Sequence, residues 1–190
     1  MSTKDFLKKI KDEDIEYVDV RFTDTRGKLQ HVTIVSDLVD EDFVEEGFMF
    51  DGSSIAGWKS IEASDMKLML DTDTAYVDPF YAEKTICVHC SVVEPDTGEA
   101  YERDPRGTAQ KAEAYLKASG IGDVAYMGPE AEFFLFDNVK FSNSINKVSY
   151  EVDASDASWN TDTDYEMGNM GHRPGLKGGY FPVNPTDEAQ

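Results

Sequence analysis

Two carboxylates, Glu130 and Glu132, stand inside an otherwise apolar and aromatic run, Met127-Gly128-Pro129-Glu130-Ala131-Glu132-Phe133-Phe134-Leu135-Phe136-Asp137. The β-formers and the Gly-Pro in front predict a strand, on which residues i and i+2 share a face roughly 6.5–7 Å apart at a rise of about 3.3 Å per residue. That spacing lets each carboxylate hold its own hard cation while both cations act on one substrate. Two unpaired anions beside Phe134 and Phe136 would cost several kcal/mol, so the pair calls for a compensating charge, of which a divalent metal is the simplest. Glu-x-Glu is equally the outer face of a half-exposed strand, and the spacing alone leaves both readings open.

A second stretch, Phe50-Asp51-Gly52-Ser53-Ser54, is more than bare folding requires. Glycine permits a tight excursion and the serines can bond back to it, which would hold Asp51 rigidly on a loop. A fixed carboxylate can attract a cation or accept a proton; the same residues also suit a plain Asx-type turn. Cys87 and Cys90, the two cysteines, occur as Cys-Val-His-Cys. On the β-branched strand predicted around them, positions i and i+3 face opposite sides, so the thiols diverge and read as packing residues in a reducing compartment. His89 shares a face with Cys87, which is not enough for a metal site.

The composition bounds these possibilities. The chain has 190 residues, with 18 basic against 38 acidic and a formal charge of −20. Such a charge argues against a nucleic-acid backbone or an anionic membrane as partner and leaves small cations and basic partners open. No apolar run approaches bilayer length and the N-terminus lacks a signal-peptide core, so a cytoplasmic location is expected.

The elements that must position these groups follow from periodicity. Thr3 to Asp12 is predicted as a short amphipathic helix with Phe6, Leu7 and Ile10 inward. Glu16 to Thr23 alternates, with Val18, Val20 and Phe22 on one face and Asp19 and Arg21 on the other. A turn at 24–27 returns the chain as a second strand, Leu29 to Val35. Asp37 to Glu46 reads as helix stopped by Gly47, and strands follow through Met66–Leu70 and around Cys87. Asp104 and Pro105 start another helix, with Ala109, Ala112, Tyr115 and Leu116 inward and an end near Gly120. After the Glu130/Glu132 strand come about a dozen polar residues and a strand through Val148–Val152. Asp153 to Asn169 reads as a long mobile loop, and 174–182 as a Gly-rich turn without Walker spacing.

Phe50-Asp51-Gly52-Ser53-Ser54, followed by Ala63-Ser64-Asp65-Met66-Lys67-Leu68, resembles the N-terminal signature of glutamine synthetase of the bacterial type I class. Gly128-Pro129-Glu130-Ala131-Glu132-Phe133 resembles that family's first metal-binding strand. Arg21-Phe22-Thr23-Asp24, Asp104-Pro105-Arg106, Gly171-His172-Arg173-Pro174 and Lys177-Gly178-Gly179-Tyr180-Phe181-Pro182 match further landmarks in order. The resemblance implies an α+β chain: a β-grasp domain over residues 14–97, then the truncated start of an α/β barrel-like catalytic domain over 105–190.

It also implies an ATP-dependent glutamate–ammonia ligase that acts through γ-glutamyl phosphate with at least two Mg²⁺ or Mn²⁺ ions, assembled as a dodecamer of two stacked rings. On that basis Glu130 is a ligand of the metal nearer the nucleotide phosphates, Glu132 of the metal nearer glutamate, and Asp51 helps form the ammonium site and takes its proton. Phe48, Phe50, Ile55 and Trp58 would then line a subunit interface, or else pack inward on their own sheet. Complete members are more than twice this length, so the chain is expected to be a portion that is inactive alone. The alternative of a different class is a free-standing acidic β-grasp interaction module.

Overall fold

In a computed structural model of the chain, residues 1–154, 157 and 159 are described. They divide into two units, the boundary falling between Tyr126 and Met127.

The first unit is built on a five-stranded mixed sheet. Its strands are β1 (Tyr17–Thr23), β2 (Leu29–Val35), β3 (Phe48–Asp51), β4 (Asp65–Asp78) and β5 (Thr85–Val93), in the spatial order β2-β1-β5-β4-β3. β1 and β5 run parallel in the middle, Val18 opposite Ile86 and Val20 opposite Val88, and the other neighbours pair antiparallel. Helix α1 (Thr3–Asp12) is capped by Ser2, whose hydroxyl accepts from the Asp5 amide, and it buries Phe6 and Ile10. Helix α2 (Glu41–Glu46) is capped by Asp40 and buries Val44. With Val18, Val20, Phe22, Met66, Leu68, Ile86, Val88 and Val92 these residues make one core on one face of the sheet.

The predicted helix over 37–46 is two pieces, a 3-10 turn at Ser36–Leu38 and then α2. Asp40 explains the break, since its side chain accepts from the Phe43 amide and so starts a new helix. β4 runs well past Leu70, with a register shift between Asp71 and Tyr76. There the Thr74 hydroxyl takes the His89 amide at 2.9 Å, replacing a ladder bond the irregularity removes. β3 occupies residues read from sequence as loop, because Phe48 and Phe50 alternate inward opposite Leu68 and Met66.

The second face of this sheet, to which alternation assigns Asp19 and Arg21, holds a buried polar network. Asp19 is fully buried there. Its Oδ1 accepts from His31 Nδ1 at 2.6 Å and Thr33 Oγ1 at 2.7 Å, and its Oδ2 from Arg21 Nε at 2.7 Å. Arg21 reaches on to the Tyr76 hydroxyl at 2.6 Å and Asp78 at 3.1 Å. Burial alone would raise the Asp19 pKa, but the bonds from His31, Arg21 and Thr33 outweigh it and hold the carboxyl below its ordinary range.

The cysteines behave as expected of a diverging pair. Both are free and buried, Cys90 in the apolar core and Cys87 on the polar face near Asp19 and Asp78. Burial pushes the Cys87 thiol up to about 11 and Cys90 to about 12, so both stay protonated.

Helix α3 (Pro105–Ser119) closes the first unit. Asp104 caps it, and Gly120 ends it at φ 69°. The inward face predicted for it is corrected by the structure: Ala109, Ala112 and Tyr115 are exposed, Leu116 is partly buried, and Gly107 is the buried residue of the helix. Its hold is polar instead. Asp104 Oδ2 accepts from the Val92 amide at 3.0 Å, Arg106 pairs with Asp71, and Gln110 reaches Ser91 at 3.4 Å.

In the second unit, β6 (Asn138–Ser144) and β7 (Lys147–Asp153) form an antiparallel ribbon. β7 is the strand predicted through Val148–Val152; β6 was hidden by its polar residues. Apart from 153, 154, 157 and 159, the loop expected over 153–169 and the stretches 171–174 and 177–182 lie outside the described residues.

Because the Asp19 pKa is depressed, its stabilisation is present above the ordinary Asp range of about 3.9 and is lost as pH falls below it toward the folded value. Asp19→Asn, which removes the fully buried one of Arg21's two carboxylate partners and leaves Asp78, is expected to cost about 2 kcal/mol at pH 7, the range of a lost hydrogen bond to a charged group. Chemical denaturation of the 190-residue chain followed by circular dichroism should show that gap at pH 7 and a smaller one at pH 3. An equal gap at both values would contradict the linkage.

Candidate functional site

Asp51 is the last residue of β3, at one edge of the sheet and on the face opposite the core. The core face beneath it is aromatic. Phe22 lies 5.1 Å from Phe50 and 5.6 Å from Trp58 between ring centroids, and Trp58 lies 5.2 Å from Tyr101. Trp58 is buried and Phe48, Phe50 and Ile55 pack against the core, so of the two placements open for them it is the inward one that the structure has. Immediately after Asp51 the chain turns through a 3-10 segment, Gly52–Ser54. Gly52 is required here: a Cβ would come within 2.4 Å of Met66 Sδ, and its amide donates to Ser64 O at 2.7 Å.

The turn fixes the carboxylate. Oδ1 of Asp51 accepts from the Ser53 amide at 2.8 Å and the Ser53 hydroxyl at 2.6 Å. The Ser53 hydroxyl and then the Ser53 amide lower the Asp51 pKa, with a smaller contribution from Ser64. The side chain is exposed, which makes it an ionised carboxylate held in one orientation and open to solvent. Such a group can bind a small cation.

Glu130 and Glu132 are placed differently from the expectation. Residues 124–136 form no strand or helix, and both glutamates are exposed. A strand persists only with a neighbour to take its backbone bonds, and among the described residues none pairs with this segment. Phe134 and Phe136 still stack at 6.1 Å, as i and i+2 do on extended backbone, yet Phe134 is 82% exposed. The two carboxylates are hard oxygen donors of the type Mg²⁺ and Mn²⁺ take, and with one such carboxylate for each of two ions they supply a small part of the six ligands each ion needs. Among the described residues no three His, Cys, Asp or Glu side chains converge on a metal position. The donor chemistry therefore fits, and the donor number is partial.

The sequence reading missed the buried network around Asp19 and the bridge from Asp104 to β5. An Asp placed among Val18, Val20 and Phe22, with a His returning on the next strand, is the signal that could have disclosed the first. The second depends on a long-range approach to Val92 that no local pattern encodes.

The mixed five-stranded sheet with helices over one face makes the first unit an α+β domain carrying a fixed carboxylate at its edge. Residues 14–95 match the family model described as glutamine synthetase, beta-Grasp domain, and residues 102–190 match that described as glutamine synthetase, catalytic domain. The glutamine synthetase of Cereibacter sphaeroides is 75% identical over 98% of this chain and 40% of its own length. That of Rhodobacter capsulatus is 70% identical over 100% of this chain and 43% of its own. A cryo-EM structure of Plasmodium falciparum glutamine synthetase superposes with a TM-score of 0.72 at 22% identity, covering 100% of this chain and 37% of that one, which speaks to the fold. The chain belongs to the glutamine synthetase family, and it spans about 40% of the length of the curated relatives it matches.

Exposed and without ladder bonds, the amides of 124–136 should exchange hydrogen at rates close to those of unstructured peptide, whereas β1 and β5 exchange orders of magnitude more slowly. Hydrogen-exchange mass spectrometry of the 190-residue chain measures this. Protection of 130–134 equal to that of β5 would show that the glutamate segment is a strand after all.

Proposed function

We propose that this chain carries part of a glutamate–ammonia ligase: ATP-dependent formation of L-glutamine from L-glutamate and ammonium through γ-glutamyl phosphate, with ADP and phosphate released. What supports the reading above all is that two successive glutamine synthetase domain models match in order along the chain. The domain division that goes with it is 14–97 for the β-grasp part and 105–190 for the catalytic part.

In this reading Asp51 binds ammonium and takes its proton, since the nitrogen must lose one before it can attack. Glu130 and Glu132 hold divalent metal, Mg²⁺ or Mn²⁺, with Glu130 toward the nucleotide phosphates and Glu132 toward glutamate. When bound, that metal neutralises charge in phosphoryl transfer. Two carboxylates do not complete such a shell, so the chain alone is inactive, and the working enzyme is a cytoplasmic homo-oligomer, a dodecamer of two stacked rings. No helix among the described residues is long and apolar enough to cross a membrane.

A chimera tests the reading. Residues 1–190 replace the matching part of the Cereibacter sphaeroides enzyme, and ATP-dependent glutamine formation is measured. Activity within about tenfold of the parent is expected, with Glu130→Gln and Glu132→Gln each lowering it by a factor on the order of 100 or more and raising the metal concentration required. An inactive but correctly assembled chimera, or unchanged metal dependence in both variants, would sink the assignment.

If neighbouring subunits share each site, Asp51 and Glu132 of one chain serve different centres. Mixed oligomers of an Asp51→Ala chimera and a Glu132→Gln chimera should then regain activity, because some centres receive both intact residues. No recovery in oligomers verified as mixed would place Asp51 with its own chain's metals.

A further inference from the structure

We propose that Ser53 is a positioning residue for ammonium, acting through Asp51: by giving both its amide and its hydroxyl to Oδ1, it locks the carboxylate and turns Oδ2 toward the incoming cation. This rests on the reading of Asp51 as the ammonium-site carboxylate. The geometry is specific. Both bonds, at 2.8 and 2.6 Å, converge on one oxygen, so Oδ2 is not spent on them.

The donor itself cannot drift. Ser53 lies in the 3-10 turn between Gly52, packed under Met66, and Ile55, whose amide donates to Gly52 O at 3.2 Å; the Trp58 amide continues to Ile55 O at 3.1 Å. Trp58 is buried, so the turn is fastened to the core behind it. Ser53 is thus held by backbone while its hydroxyl orients the reactive group, the arrangement of a supporting residue.

Charge strengthens the point. Asp65 is directly opposite Asp51 on β4, and Lys67 lies one alternation further along the same face; the turn 52–54 contributes no titratable group. A like charge directly across a ladder works against the ionised carboxylate. The two Ser53 donors work for it, keeping the carboxylate ionised and singly oriented so that it meets the cation before it accepts the proton.

The test uses the chimeric enzyme with Ser53→Ala, Ser53→Thr and Asp51→Asn, each checked for assembly and melting temperature. Ser53→Ala should raise the KM for ammonium about tenfold, the effect of losing a hydrogen bond to a charged group, with kcat changed less than about threefold and the glutamate KM unchanged. The acid limb of kcat/KM for ammonium should move to higher pH, and Ser53→Thr should restore both. Carboxyl ¹³C NMR of the 190-residue chain provides an independent reading, in which Ser53→Ala raises the Asp51 titration midpoint. A fall in kcat and melting temperature with no movement of the ammonium KM or the acid limb overturns the proposal, as does an unmoved midpoint. If Asp51→Asn itself leaves the ammonium KM unchanged, the Asp51 reading has failed and the proposal falls with it; a large Asp51→Asn effect with none from Ser53→Ala overturns Ser53 alone.

Discussion

The parallel pairing of β1 with β5 is the constraint from which most of the first unit follows. Both strands lie in the interior of the sheet, and a central strand covered on two faces must have each face answered. The face of Val18, Val20, Ile86 and Val88 is answered by α1, α2 and the aromatic residues. The other face carries charge that has left water, Asp19 and Arg21, and it is answered by His31 and Thr33 from one neighbouring strand and Tyr76 and Asp78 from another. A buried ion pair of this sort adds little net stability over an apolar one, but losing Asp19 leaves Arg21 to Asp78 alone. It therefore specifies which strands lie together: β2 through His31 and Thr33, β4 through Tyr76 and Asp78.

The same constraint places α3. Its first turns reach Asp71 and Ser91 through Arg106 and Gln110, both targets being on the polar side of the sheet. His89, between them in register with Arg21, has its pKa lowered by burial and then by the Arg106 and Arg21 charges, so that side of the sheet accommodates two guanidinium groups beside a neutral imidazole. Asp104 links the two kinds of order, capping α3 while accepting from the β5 backbone.

Alternation and caps made β1, β2, α1 and the start of α3 legible from sequence, because each is decided by neighbours within a few residues. β3, β6 and the far half of β4 were not, since their strand state depends on the partner rather than on propensity. β6 is the clear example. Its Val139 and Phe141 meet Val152 and Tyr150 across the ribbon, while Lys140 and Ser142 meet Glu151 and Ser149 on the reverse side. That two-faced pattern exists only once the strands are paired. The inward face assigned to α3 failed for the complementary reason, helical spacing being read as burial where Tyr115 is 76% exposed. Within the site, the serine lock on Asp51 was readable because it spans two residues, whereas a strand at Glu130 and Glu132 needs a ladder neighbour absent among the described residues.

What distinguishes Asp51 physically is the contrast between the two sides of its own strand. Phe50, one residue earlier, points into the aromatic cluster with Phe22 and Trp58, while Asp51 points away from it. A carboxylate on a free loop would lose entropy whenever it held a ligand, and one inside the core would tend to give up its charge. At the end of an edge strand, with apolar packing beneath and Ser53 beside it, the group has lost its freedom on folding and kept its ionisation. The Gly52 contact with Met66 is part of the same arrangement, because a Cβ at Gly52 would run into the buried Met66 side chain on which the turn that carries Ser53 rests. Rigidity on one face and access on the other are therefore a single consequence of where the sheet ends.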